Sequence, residues 1–181
     1  MRIRNDAEAY GLVTKLLHWA TALLIIGLIA LGYYMVGLSY YDPWYHQSLL
    51  THKALGMAVF ALGVLTLLWR WWSPSPPLHA TLKPWERISA TVMHHTLLVL
   101  VFLIPLTGFL VSTSEGKAVE FFDWFEVPAL MVVGEGLRDL AIKVHFYCAY
   151  GTAALVALHA AAACKHQWLD KDGTLARMLW R

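Results

Sequence analysis

The sequence predicts an all-α integral membrane protein: a four-helix bundle with both termini on the cytoplasmic side. Three observations carry this. The 181 residues are 59% hydrophobic and only 14% charged, with a mean hydropathy of +0.53, whereas soluble domains are about one quarter charged. Four stretches without Asp, Glu, Lys or Arg come close to the roughly 20 residues that a helix needs to cross hydrocarbon. The basic residues between those stretches gather on one side. This composition excludes disorder and an ordinary soluble globule, and the net charge of +2 is too small for a nucleic-acid binder. One membrane domain over 1–181 is expected.

The first helix is expected over about 13–38, on the uncharged run from Leu16 to Tyr41. Arg2 and Arg4 precede it, but the apolar run is too long for a signal-peptide core and lacks a small-residue cleavage site, so it is expected to stay as an anchor. The second helix is expected over about 48–72; its run from Ala54 to Trp69 is short alone, and Gln47 to Lys53 lengthen it. Ser73 to Pro84, with Pro74, Pro76, Pro77 and Pro84, reads as the inner linker. The third helix is expected over about 88–112, on the run Ile88 to Ser114. Val127 to Gly134 is apolar yet too short to span, so 118–136 is expected as a periplasmic interfacial segment. The fourth helix is expected over about 142–165, on the run Val144 to Cys164. Helices are required because an open sheet cannot satisfy its edges in lipid, and the alternation of barrel strands is absent. Pro105 and glycines such as Gly27, Gly56, Gly63, Gly108 and Gly151 are tolerated in such helices.

The connections set the direction. Arg2, Arg4, Lys15, Arg70, Lys83, Arg87, Lys165, Lys171, Arg177 and Arg181 lie on one side, and only Lys53, Lys117, Arg138 and Lys143 on the other. The positive-inside rule then makes both termini cytoplasmic in a multi-pass membrane protein. Asp42, Glu115, Glu120, Asp123, Glu126, Glu135 and Asp139 leave the outer loops at a net −3. Aromatic residues flank both edges, among them Tyr40, Tyr41 and Trp44 outside and Trp69, Trp71 and Trp72 inside. Cys148 and Cys164 fall on one helix roughly 24 Å apart, so they cannot pair, and there is no CxxC or CxxCH motif.

Nine histidines in so apolar a chain are the unusual feature, because ionisable groups within a bilayer are costly and usually functional. His145 and His159 are fourteen residues apart, which puts them about 40° apart on one helix face and roughly 21 Å apart in depth. His18 on the outward-running first helix comes level with His159, and His52 on the inward-running second helix comes level with His145. Each level thus offers two facing neutral imidazoles and no matching Cys, Asp or Glu. That is short of the three or four ligands of a zinc site, but it suits the two axial positions of a haem. Gly56, one turn after His52, Gly151, and Ala160 to Ala163 are small neighbours of the kind a porphyrin edge needs. Arg70, five turns after His52, and Lys15, one turn before His18, are propionate candidates at the inner level, equally readable as snorkelling anchors. Lys53, Lys143 and Arg138 are the outer candidates. His94, at the inner level, competes with His18 as a ligand, whereas His95, His46 and His79 read as ordinary polar residues.

The pattern resembles the bacterial cytochrome b561 family of small four-helix di-haem membrane cytochromes. The matching pieces are His18-Trp19, His52 with Gly56 and Arg70, and His94 with Pro105 and Gly108. They continue with His145, His159 with its four alanines, His166, Lys171-Asp172-Gly173-Thr174-Leu175 and Arg177-Met178, covering about Leu12 to Met178. The resemblance implies two haem b groups, with His18–His159 and His52–His145 as axial pairs and His94 as a non-ligand. It is similar in particular to superoxide oxidases, which implies electron flow from periplasmic superoxide to ubiquinone. His166 and Lys165, about 10 Å beyond His159 towards the cytoplasm, are then candidates to bind and protonate the quinone. The acidic outer loops suit a basic soluble redox protein better than an anion. Two other readings stay open: a quinol- or partner-linked cytochrome subunit serving a hydrogenase or dehydrogenase, and a proton or solute transporter using its histidines as a relay.

Overall fold

The computed structural model describes residues 2–179; Arg181, one of the cations counted for orientation, lies outside the described residues. The elements run α1 (Leu12–Val36), α2 (Tyr45–Trp72), α3 (Pro84–Thr113), β1 (Val119–Phe121), β2 (Phe125–Val127), α4 (Glu135–Trp168) and α5 (Thr174–Leu179). The four long helices are each long and apolar enough to cross a membrane.

Local chemistry explains where each helix starts. The side-chain oxygen of Asn5 accepts the Gly11 N–H (2.8 Å) and the Thr14 hydroxyl (2.7 Å), fixing the entry into α1. Asp42 accepts the Trp44 N–H (2.9 Å), and α2 follows at once from Tyr45, three residues ahead of the expected 48. α3 begins at Pro84 rather than 88: proline is pre-set for the first helical position, and the Glu86 carboxylate accepts the Lys83 N–H (3.0 Å). α4 begins at Glu135 behind extended Gly134, because an acidic residue suits the first turn and Leu137, Arg138 and Lys143 are good helix formers. Its 34 residues span roughly 51 Å, well beyond the hydrocarbon thickness.

The segment 118–136 departs from an all-helical reading. It holds a small antiparallel hairpin that pairs Val119 with Val127, Glu120 with Glu126 and Phe121 with Phe125. The turn puts Phe122 (φ 48°) and Asp123 (φ 59°) in the left-handed region, which no glycine in the sequence signals. Val119, 3% exposed, anchors the hairpin against α2 and α3.

Both termini share the opposite end of the bundle. There Asn5 donates to the Ser73 (2.9 Å) and Pro74 (3.2 Å) carbonyls. Arg177, 7% exposed, donates to the carbonyls of Glu8 (2.7 Å) and Pro77 (3.1 Å) and lies over the Tyr10 ring. The Trp19 indole donates to the Met178 carbonyl (3.0 Å).

Packing runs in sequence, α1 on α2, α2 on α3 and α3 on α4, while α4 meets α1 only slightly and does not pack on α2 among the described residues. The fully buried hydrophobic residues are few and mostly small: Ala54, Val59, Val119, Ala141 and Ala176. His159 and His145 of α4 face His18 of α1 and His52 of α2.

Candidate functional site

Near the hairpin end, His52 of α2 faces His145 of α4 with ring centres 6.2 Å apart and planes at 68°. Near the terminal end, His18 of α1 faces His159 of α4 at 6.4 Å and 63°. Two imidazoles bound to opposite faces of one iron by metal–nitrogen bonds of about 2 Å hold their ring centres roughly 6 Å apart, so both pairs fit a bis-histidine haem. His94 of α3 lies beside His159 at 5.4 Å and 74°, closer than two rings bound to opposite faces of one iron.

The surroundings fit as well. A Cβ added to Gly108 would come within 2.9 Å of His145 Cε1, and one added to Gly32 within 3.3 Å of His52 Cε1, so these glycines make room for the two rings. Gly32 escaped the sequence reading because it lies on α1, away in sequence from the histidine it serves. Beside Gly56 and Gly151 an added Cβ would meet nothing within 4 Å, which leaves open space next to the histidine levels. His145 Nδ1 lies 2.9 Å from the Ile104 carbonyl and 3.4 Å from the Thr107 hydroxyl. Such a bond puts hydrogen on Nδ1 and leaves Nε2 as the metal-binding atom. His52 Nδ1 is buried with no hydrogen-bond partner among the described residues.

Of the expected cations, Lys15 is only 5% exposed and Arg70 is half-buried at the end of α2, near enough to His94 for its charge to act there. At the hairpin end, half-buried Lys53 feels the charges of Glu120 and Lys117, while Lys143 and Arg138 are exposed.

Lys165 and His166 lie in a polar pocket of about 220 Å³ lined also by Lys83, Glu86, Asp170 and Asp172. Lys165 Nζ is 2.7 Å from both Glu86 Oε1 and Asp170 Oδ2. His166 Nδ1 lies 2.7 Å from Asp170 Oδ2 and 3.6 Å from Asp172 Oδ2. Glu86, 79 positions before Lys165, joins this cluster without any local signal in the chain.

Fold and site together define a membrane-type four-helix bundle with paired histidines at two depths, the architecture of a b-type cytochrome. The chain belongs to the prokaryotic cytochrome b561 family, whose profile matches residues 9–181. It is 39% identical to cytochrome b561 homolog 2 of Escherichia coli K12 over 179 residues, covering 99% of this chain and 95% of that one. It is 28% identical to cytochrome b561 homolog 1 of the same organism, over 91% of this chain and 93% of the relative. A probable superoxide oxidase, CybB, of Yersinia pestis is 26% identical over 90% of this chain and 91% of its own. Membership makes the chain a haem b protein of transmembrane electron transfer.

Proposed function

We propose that the chain holds two haem b groups, one between His18 and His159 and one between His52 and His145, and carries electrons across the bacterial inner membrane from superoxide to ubiquinone. The observation that carries this reading is the pair of facing histidines at each depth, 6.4 and 6.2 Å apart, with two of the four on one helix. Each haem supplies a one-electron iron couple without an open coordination position, which favours electron transfer over oxygen activation. The residues do the rest. Gly56 and Gly151 would leave room for a macrocycle; Lys15 and Arg70 would meet its carboxylates at the terminal end, and Lys53, Lys143 and Arg138 would do so at the hairpin end. The hairpin end is periplasmic and both termini are cytoplasmic, in keeping with the cation distribution.

In the overall reaction two superoxide anions each lose one electron and leave as dioxygen, while ubiquinone gains two electrons and two protons and becomes ubiquinol. The kinship with the Yersinia pestis protein, named a probable superoxide oxidase, supports superoxide as donor. His166 faces the quinone, and Lys165, held by Glu86 and Asp170, keeps those carboxylates in position rather than binding the quinone itself. A second donor is favoured by one observation: Glu120 and Glu126 stand directly opposite each other on the hairpin, an acidic surface suited to a basic soluble redox protein.

The test is a pyridine haemochrome assay followed by turnover. About two haems b per chain are expected, falling to about one in either His52→Ala or His159→Ala. A steady supply of superoxide should then reduce the haems and yield ubiquinol. One haem per chain would overturn the paired-site reading, and full haem content without superoxide-driven reduction would shift the donor to the soluble partner.

A further inference from the structure

The polar pocket between the start of α3 and the end of α4 has a composition that holding a quinone does not require. Three carboxylates, Glu86, Asp170 and Asp172, and two ammonium groups, Lys83 and Lys165, surround one imidazole, His166. Glu86, His166 and Asp170 could present ligand atoms to a metal ion. Lys165 already stands 2.7 Å from both Glu86 and Asp170, however, so the place of a cation is taken by its own ammonium group. What the arrangement does provide is a histidine set beside carboxylates. Nδ1 lies 2.7 Å from Asp170 Oδ2 and 3.6 Å from Asp172 Oδ2, and Nε2, on the far side of the ring, is the nitrogen that can exchange a proton with a ligand. The Asp172 side chain is 3% exposed and directs into the pocket an oxygen that accepts no hydrogen bond. Asp170, with a side chain 38% exposed, meets water at the pocket mouth. His166 lies seven residues, about 10 Å, from His159 along α4.

We infer that this cluster is the proton port of the quinone site, with His166 as the group that protonates the quinone and is reloaded from water at the pocket mouth, and Asp170, Asp172 and Glu86 as the carboxylates that position it there. The inference rests on the reading that a quinone is reduced at this end of the bundle. For each electron that reaches the quinone from a ferrous haem, the His166 Nε2–H bond breaks and a quinone O–H bond forms. The neutral imidazole then takes a proton from water at the pocket mouth, and two such cycles complete a quinol. Lys165, bridging Glu86 and Asp170, holds those carboxylates in place beside the imidazole. His166 is the catalytic residue here; Asp170, Asp172, Glu86 and Lys165 are positioning residues.

The test uses the purified full chain with its haems, reduced by limiting dithionite and mixed with ubiquinone-1. Haem reoxidation is followed optically, and proton consumption with an indicator dye in weakly buffered solution. The wild type should consume one proton per electron at a rate independent of buffer concentration. In His166→Gln and in Asp170→Asn/Asp172→Asn, reoxidation should slow about tenfold or more with haem content and reduced spectrum unchanged, and rise in proportion to added acetate, a small acid that replaces the missing donor. Should the double variant lose haem, His166→Gln alone decides. Variant rates within twofold of wild type at every pH and buffer concentration would overturn the port while leaving the quinone reading intact. Slowing that acetate does not relieve would mark a purely structural role and also overturn it. A wild type that ubiquinone-1 does not reoxidise would overturn the quinone reading itself.

Discussion

At the scale of single residues, the contrast between two glycines tests the cofactor positions more sharply than replacing the histidines. A valine at Gly108 would drive carbon into His145, 2.9 Å from the built Cβ. Gly108→Val should therefore lower both the melting temperature and the haem content, to about one per chain. Gly56→Val meets nothing within 4 Å among the described residues, so its helix content should match wild type while its haemochrome yield falls by about half. An unchanged yield would mean that no macrocycle lies beside Gly56. Outside the spans, hydrogen bonding to Lys165 holds the Asp170 carboxyl below its ordinary 3.8, and the backbone N–H groups of Glu8 and Ala9 do the same for Asp6. A carboxyl depressed in the folded state contributes stability above its ordinary value and loses it as pH falls through the lowered one. Thermal stability should therefore fall on acidification below about pH 4, and Asp170→Asn should flatten that fall in a pH series of melting curves.

At the scale of elements, the terminal end of the bundle is held by hydrogen bonds between parts far apart in sequence rather than by a packed apolar layer. Arg177 of α5 bonds the carbonyls of Glu8 and Pro77, and Asn5 bonds those of Ser73 and Pro74. Arg177→Ala removes two charge-assisted hydrogen bonds to carbonyls that water can then reach, and should cost about 1–2 kcal/mol. Faster amide exchange confined to residues 5–11 and 73–79 would show the tie released, and unchanged exchange would show that α5 merely rests there. At the other end, the Glu120–Glu126 pair sets like charges opposite each other on the hairpin. Glu126→Lys should stabilise the hairpin by about 0.5 kcal/mol, seen as slower exchange at Val119 and Val127.

At the scale of the whole molecule, α4 packs mainly on α3 and meets α1 only slightly. A haem held between histidines of different helices would tie α4 to α1 and α2, and ligand bound by the folded state alone stabilises it by mass action. Protein produced under haem limitation should melt at lower temperature and be cut by protease more readily between α3 and α4, and haem added back should restore both. Equal stability with and without haem would mean that helix packing alone closes the bundle.

The four spans and the two histidine levels were legible in the sequence because hydropathy and helical periodicity are local: Leu16 to Tyr41 is a spanning run wherever it sits, and His145 and His159 share a face through the helical repeat alone. The early starts of α3 and α4 were less legible, since Lys83-Pro84-Trp85-Glu86 and the charged turn around Arg138 resemble loop when hydropathy is the guide. The hairpin turn stayed hidden because Phe122 and Asp123 adopt a conformation usually marked by glycine. Only the tertiary structure brought Glu86 to Lys165, Gly32 to His52 and Gly108 to His145, and set His94 beside His159 at a spacing shorter than that of the two facing pairs. The physical reason is the same each time: a pattern along one helix fixes which side chains share its face, while what they meet across the bundle depends on how neighbouring helices lie.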